Sequence, residues 1–358
     1  MRLAFYAPMK PPDHPVPSGD RSIAQSLIAA LEYAGVSVDL ASRLQTRDGR
    51  GQDVRQREIM EAAKTEVHRL IAEGRGRAWD GWVTYHNYYK APDLIGPQVA
   101  AALNIPYLQI ESTRAKKRLT GPWAEFARSA EKATDAASVV FYFSKRDGET
   151  LKRDMVLDQQ LIHLRPFLNR AEIAYGSVCN GPILSVGMMR HGDKLASYEI
   201  IAQSLALLPQ DGWQLEIAGD GPARSEVEAL MQPFGANVRF LGQLEDDGIN
   251  LAYDRAGLFF WPGVNEALGM VYLEAQAAGL PVVAQDRPGM QEVLAPNTYP
   301  SVDEGAQGLA KMLELYLQDQ TLRHAKGAAA QSFVADHHLL PQAARTLREG
   351  LAKAGLSL

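Results

Sequence analysis

The chain has 358 residues, 46% of them apolar and 22% charged, with a formal net charge of −5. That length exceeds one comfortable hydrophobic core and suits two α/β domains, and the negative balance lacks the basic footprint expected of a nucleic-acid binder. The single cysteine, Cys179, excludes an internal disulfide framework, and no apolar run reaches the roughly 18 residues that mark a membrane span.

Strands and helices alternate throughout, the pattern of a parallel sheet covered by helices. The amino terminus meets proline and charge within its first residues, so Leu3–Ala7 reads as a first core strand rather than a signal peptide. A cytoplasmic protein follows as the expectation, with peripheral contact to the inner face of a membrane left open. A Pro/Gly loop from Met9 to Gly19 leads to an amphipathic helix over about Arg21–Ala34, closed by Gly35, and then to a strand at Val36–Leu40. Residues 53–74 are helical and strongly charged, most simply a solvated outer face. Strands at Trp82–Tyr85, Pro106–Ile110 and Ser138–Phe143 follow, with a helix at Pro97–Leu103 and another over Lys145–Arg153 capped by Ser144.

After a strand at Leu161–Leu164 the text changes. Arg165–Asn169 and the segment from Gly176 to Gly181 read as a linker. A second α/β series has strands at Ile183–Val186, Gln214–Ala218, Val238–Leu241, Leu258–Trp261 and Pro281–Ala284, and the amphipathic tail from about Pro341 reads as a terminal helix. The predicted domains are therefore residues 1–165, with a helix over about 341–358 packing back on them, and residues 166–340. Doubly wound domains place their ligands outside the carboxyl ends of the strands. Two such domains facing each other would open both sets of loops into one cleft.

The most informative segment runs from Trp261 through Pro-Gly-Val-Asn-Glu266-Ala-Leu268-Gly269 to Glu274, Gly279 and Ala284. A buried strand ends in a Pro-Gly turn, a helix starts near Leu268, and Gly279 is its C′ stop ahead of Pro281. The helix start offers unpaired backbone N–H groups and the positive end of the macrodipole, a seat for phosphate. Gly269 would let the backbone approach closely. Glu266 in the loop and Glu274 two turns into the helix suit hydroxyl groups on either side of a diphosphate.

This segment resembles the signature of retaining glycosyltransferases of the GT-B fold, family 4, whose Glu-x₇-Glu motif matches Glu266 and Glu274. The resemblance implies two Rossmann-like doubly wound α/β domains around a central cleft. Glu266 would contact hydroxyls of the donor sugar, and Glu274 the nucleotide ribose. Ile183–Gly187 followed by Lys194 resembles the family's opening strand and phosphate loop, and implies Lys194 on the donor diphosphate. The family's arginine after the glycine is Met188 here, with Arg190 two residues on as its substitute. Gly219-Asp-Gly221-Pro222 is similar to the family's glycine turn, and the strand ending at Leu241 precedes the loop that cradles the base. Asp246-Asp247 reads as a helix start rather than a metal site.

In the first half, Gly19 after Ser18 matches the second glycine of the family's amino-terminal loop, with a plain N-cap as the alternative. Thr84-Tyr85-His86-Asn87 resembles its histidine-containing loop. Where many relatives carry a histidine on the donor sugar, this chain has Glu111-Ser112-Thr113. Arg114-Ala-Lys-Lys-Arg118 reads as a solvated basic loop, with an acidic acceptor or an anionic lipid as the alternatives.

The expected activity is retaining transfer of a sugar from a nucleotide-diphosphate sugar to an acceptor hydroxyl, in polysaccharide or glycoconjugate assembly. The donor is a co-substrate, UDP-linked by default with GDP as the alternative; no metal and no other cofactor is expected. Glu266, Lys194, Arg190 and His86 are the expected catalytic residues. Gly19, Gly187, Lys194, Gly219, Leu241, Glu266, Leu268, Gly269 and Glu274 are the expected donor-binding residues. The acceptor is a saccharide, a lipid-linked glycan or a small molecule, no nucleic acid is expected, and the oligomeric state is left open. The rival readings are a nucleotide-sugar epimerase or sugar phosphorylase on the same fold, and a catalytically impaired nucleotide-sugar-binding protein.

Overall fold

The computed structural model describes residues 1–16, 18–173 and 176–357. Pro17 of the Met9–Gly19 loop and Leu358 of the predicted tail helix lie outside the described residues. The chain divides into two compact units, unit 1 formed by Met1–Arg165 with Leu340–Leu358, and unit 2 by Pro166–Leu339.

Unit 1 is built on a six-stranded parallel sheet in the order β2-β1-β3-β4-β5-β6. Its strands are β1 (Arg2–Tyr6), β2 (Ser37–Ser42), β3 (Gly81–Asn87), β4 (Tyr107–Ser112), β5 (Val139–Tyr142) and β6 (Gln160–His163). The crossovers carry helices α1 (Gly19–Tyr33), α2 (Asp53–Arg77), α3 (Gly96–Leu103), α4 (Ala124–Ala136) and α5 (Lys145–Asp154). Strands covered on both faces must be apolar on both, and Leu3, Ala4, Phe5 and Tyr6 are all fully buried. The charged stretch predicted as an outer face is instead two-sided. Gln56, Ile59, Ala63, Val67, Leu70 and Gly74 form a buried stripe at helical spacing along α2, while its charges pair along the solvent side, as in Arg69–Glu66 and Arg77–Glu73. The stripe was masked by small and polar members, Ala63, Gln56 and Gly74.

Unit 2 is a five-stranded parallel sheet in the order β11-β10-β7-β8-β9. Its strands are β7 (Ile183–Val186), β8 (Leu215–Ala218), β9 (Val238–Gly242), β10 (Leu258–Phe260) and β11 (Val282–Val283). Helices α6 (Asp193–Leu205), α7 (Arg224–Met231), α8 (Asp246–Arg255), α9 (Met270–Ala277), α10 (Gly305–Gln318) and α11 (Gln320–His337) complete it. The last helix of the chain, α12 (Leu340–Lys353), belongs to unit 1. There the Arg348 guanidinium donates to the Ala34 carbonyl, and Gly350 sits where a Cβ would strike the Phe141 ring. No described helix is long and apolar enough to cross a membrane.

Candidate functional site

Each sheet reverses its winding once, and loops diverging at such a point leave a crevice at the carboxyl ends of the strands. In unit 2 the reversal lies between β7 and β10, in unit 1 between β1 and β3. Within each unit a short polar contact spans its own reversal point.

In unit 2 the contact joins the start of α6 to the loop before α9. Lys194 Nζ lies 2.6 Å from Glu266 Oε2, and Trp261 Nε1 donates to the same oxygen at 3.1 Å. Lys194 is also 5.2 Å from the centroid of the Trp261 ring. Two further ties hold the loop on α6: Asn265 Nδ2 donates to Asp193 Oδ1 at 2.9 Å, and the Val264 N–H donates to Ser197 Oγ at 3.1 Å. Glu266 Oε1 accepts no hydrogen bond among the described residues, and one bond to Glu266 leaves N–H groups of the Lys194 ammonium uncommitted. The pair therefore presents a free acceptor beside a free cationic donor.

The platform beneath is rigid. Trp261 is fully buried, edge-on to Tyr198 at 5.2 Å, and Tyr198 donates to the Gly187 carbonyl at 2.7 Å. A Cβ on Gly187 would come within 2.7 Å of the Trp261 ring. Gly219, at φ +145°, could not carry a Cβ, which would fall 2.0 Å from the Gly187 carbonyl oxygen. The two glycines thus lock the loops after β7 and β8 together, with the Gly219 N–H donating to Gly242 at 2.8 Å. Leu241, half-buried, is the next-to-last residue of β9, beside that contact.

The helix predicted near Leu268 begins at Met270. Leu268 precedes it, and Gly269 is the N-cap in the left-handed region, φ +62°. Tyr272 and Val293 crowd the place of a Gly269 Cβ, so conformation and packing both require glycine. At the other end Gly279 donates to Gln276 and Leu280 to Ala275, the Schellman stop. Glu274 projects from α9 and accepts from Tyr253 at 3.0 Å. Burial raises its carboxyl above the ordinary range, against the hydrogen bond from Tyr253 and the positive charge of Arg170. Lys194, Glu266 and Trp261 form one cluster; Glu274 has its own, with Tyr253 and Arg170. Arg190 is exposed and forms no hydrogen bond or ion pair through its side chain among the described residues, and Met188 beside it is 51% exposed. Asp246 and Asp247 lie in the first turn of α8, at its positive end.

In unit 1 the bridge is made by Asp20, in the first turn of α1, and His86, at the end of β3. His86 Nδ1 donates to Asp20 Oδ1 at 3.0 Å, and Glu111 Oε2 lies 3.8 Å from the same nitrogen. Burial depresses the His86 imidazole, but Glu111, Asp20 and Asp147 together carry it above its ordinary value. The His86 hydrogen bond holds Asp20 low, whereas burial raises Glu111. His86 and Glu111 both adopt left-handed backbone, φ +67° and +58°, a conformation that costs a non-glycine residue roughly 1–3 kcal/mol. A buried network holds these strand ends: Asn87 donates to Ser112, Ala130 and Thr134, and the Thr113 N–H donates to the Asn87 carbonyl.

Ser18 caps α1 by accepting from the Arg21 N–H at 3.3 Å, and a Cβ on Gly19 would meet nothing within 4 Å. The basic loop is solvated only at Lys116 and Lys117. Arg114 is buried between Glu131 and Asp135, both at 2.6 Å, Lys116 pairs with Asp154, and Arg118 lies against aromatic rings. Trp261, Tyr253, Arg170 and Asp20 were not foreseen as site members. Trp261 follows a strand and Asp20 opens a helix, but Tyr253, near the end of α8, and Arg170, between β6 and β7, carried no such signal.

Two Rossmann-like, doubly wound parallel sheets make this a protein of the GT-B fold. It shares that fold with sucrose-phosphate synthase from Thermosynechococcus elongatus, at 18% identity and a TM-score of 0.70 over 97% of both chains. Anabaena HepE in complex with UDP and glucose matches at 15% identity and a TM-score of 0.67, over 98% of this chain and 99% of that one. Within unit 2, residues 184–333 match the family of glycosyl transferases group 1. The sequence is 36% identical over 129 residues to the GDP-mannose-dependent monoacylated alpha-(1-6)-phosphatidylinositol monomannoside mannosyltransferase of Corynebacterium glutamicum, covering 34% of each chain. It is 26% identical over 234 residues to the alpha-D-kanosaminyltransferase of Streptomyces kanamyceticus, covering 61% of this chain and 60% of that one. Both of these sequence matches span less than two thirds of the relative's length.

Proposed function

We propose that the protein is a glycosyltransferase that moves a sugar from a nucleotide-diphosphate sugar to an acceptor hydroxyl, with retention at the anomeric carbon and without a divalent metal. The observation that carries this reading is the Lys194–Glu266 contact across the β7/β10 reversal, in the unit with the family likeness. As the bond to the sugar breaks, the leaving diphosphate gathers negative charge. Lys194 would stabilise it with the N–H groups Glu266 does not use, and Arg190 is free to swing onto it. Preorganised charge of this kind is usually the largest catalytic contribution.

Glu266 Oε1 would receive a donor-sugar hydroxyl, and Glu274, steadied by Tyr253, a ribose hydroxyl. Gly187, Gly219, Leu241, Leu268 and Gly269 shape the loops around the nucleotide. UDP is the default nucleotide, and the acceptor is a saccharide, free or lipid-borne. A thermal-shift screen over UDP- and GDP-sugars selects the donor, because a ligand of the folded state raises its apparent stability. Anomeric configuration of the product is then read by NMR, with and without EDTA. Inverted product, or activity lost in EDTA and restored by manganese, would sink the corresponding clause. Epimerised sugar from donor alone would replace transfer by epimerisation.

A further inference from the structure

A ring-lined track leads away from the His86 cluster along the carboxyl edge of the unit 1 sheet. His86 contacts Tyr88 at 4.9 Å between centroids, Tyr88 contacts Tyr89 at 5.6 Å, and Tyr89 contacts Trp123 at 5.8 Å. Tyr89 and Trp123 are partly exposed. The Trp123 indole is fixed by donating to the Asp48 carbonyl at 3.0 Å.

Two cations close the far end. Lys90 Nζ lies 5.7 Å from the Tyr89 centroid and 5.3 Å from that of Trp123. The Arg118 guanidinium, from a different loop, lies 5.1 Å and 5.7 Å from the same two rings. Neither cation has an ion pair among the described residues, and Arg118 Nε is buried with no acceptor. An N–H shielded from water without a partner carries a desolvation penalty, and like charges gathered at one pair of rings repel. The nearby Asp48 carboxylate does not relieve this, being committed to the N–H groups of Arg50, Gly51 and Gln52 and to the Gln56 amide. An anion drawn to Lys90 and the Arg118 guanidinium would offset the repulsion between them. Apolar ring faces beside it suit the C–H face of a sugar, and the His86–Asp20–Glu111 end suits hydroxyl groups.

We propose that unit 1 takes an anionic saccharide as its acceptor, with sugar along the track from His86 to Trp123 and a phosphate or carboxylate held by Lys90 and Arg118. This rests on the glycosyltransferase reading for the word acceptor, but the binding itself can be tested without transfer. The full chain is titrated calorimetrically with methyl α-glucoside, glucose 6-phosphate and glucuronate. Its sedimentation with phosphatidylcholine vesicles, with and without phosphatidylinositol, is measured in parallel. A charged sugar should bind at least about tenfold more tightly than the glucoside, about 1.4 kcal/mol. The double variant Lys90→Gln with Arg118→Gln should lose that preference while keeping the wild-type thermal shift with UDP, which certifies its fold. Trp123→Leu should weaken charged and neutral sugars alike. Binding confined to phosphatidylinositol vesicles and lost in the double variant places the same anion on a lipid-borne acceptor. Equal affinity for charged and neutral sugars, wild-type affinity in the double variant, or no binding to any probe overturns the proposal. A chain that binds charged sugars but no nucleotide or nucleotide sugar would overturn the transferase reading and leave the anion site standing.

Discussion

The two units solve one geometric problem with different charge. At the β7/β10 reversal of unit 2 a cation and a carboxylate compensate each other, with Lys194 on Glu266, over a buried tryptophan. At the β1/β3 reversal of unit 1 two carboxylates flank one histidine, and the strand ends that carry His86 and Glu111 are strained. In the proposed reaction the first arrangement would hold a cation ready for an anionic leaving group. The second has an excess of hydrogen-bond acceptors for hydroxyls, with its cations set apart at Lys90 and Arg118. A shared topology therefore fixes where polar side chains gather, and local charge distinguishes the two sites.

The contrast can be broken most directly in unit 2. Lys194→Ala should lower turnover by about 10²–10³-fold, the effect of deleting one preorganised charge donor, as measured under saturating donor; near-wild-type turnover would remove the electrostatic role. Gly219→Ala should destabilise the fold by about 3 kcal/mol, since its Cβ would overlap the Gly187 carbonyl. An unchanged denaturation midpoint would show that the β7 and β8 loops are not locked together. Glu274→Ala should weaken nucleotide binding roughly tenfold, the loss of one hydrogen bond to a charged group, with little change in turnover at saturation.

Smaller effects sharpen the comparison through pH. Burial raises the Glu274 carboxyl. A carboxyl whose native pKa lies above its unfolded value, about 4.3, contributes fully to stability below that value and loses the contribution as pH rises through the native one. Glu274→Gln should therefore gain stability relative to the wild type as pH is raised from about 4 to 7, followed by chemical denaturation. A difference independent of pH would contradict a raised Glu274. In unit 1 the Asp20 carboxylate supports the protonated His86, so Asp20→Asn should move the His86 titration to lower pH by NMR. An unmoved titration would detach the pair.

Much of the fold was legible because both sheets are parallel and covered. Leu3–Ala7 and Leu258–Trp261 are apolar at every position, and glycine stops such as Gly279 mark the helix ends. Element ends moved by a residue or two, as when α9, expected to start near Leu268, proved to begin at Met270. The α2 stripe and the Arg114 ion pairs were not legible: a lone charged letter says nothing of the carboxylates folded against it.

The sequence by itself determined the alternation of strands and helices, the turns that only glycine can make, and the placing of Glu266 and Glu274 on one strand–helix unit. Those are local matters of periodicity, backbone freedom and helix stop signals. Only the tertiary structure decided that Lys194 meets Glu266, 72 positions away, that His86 lies between Asp20 and Glu111, and that Lys90 and Arg118 share two rings. Those contacts depend on which strands lie side by side. Strand order follows from packing the whole sheet, which no single segment encodes.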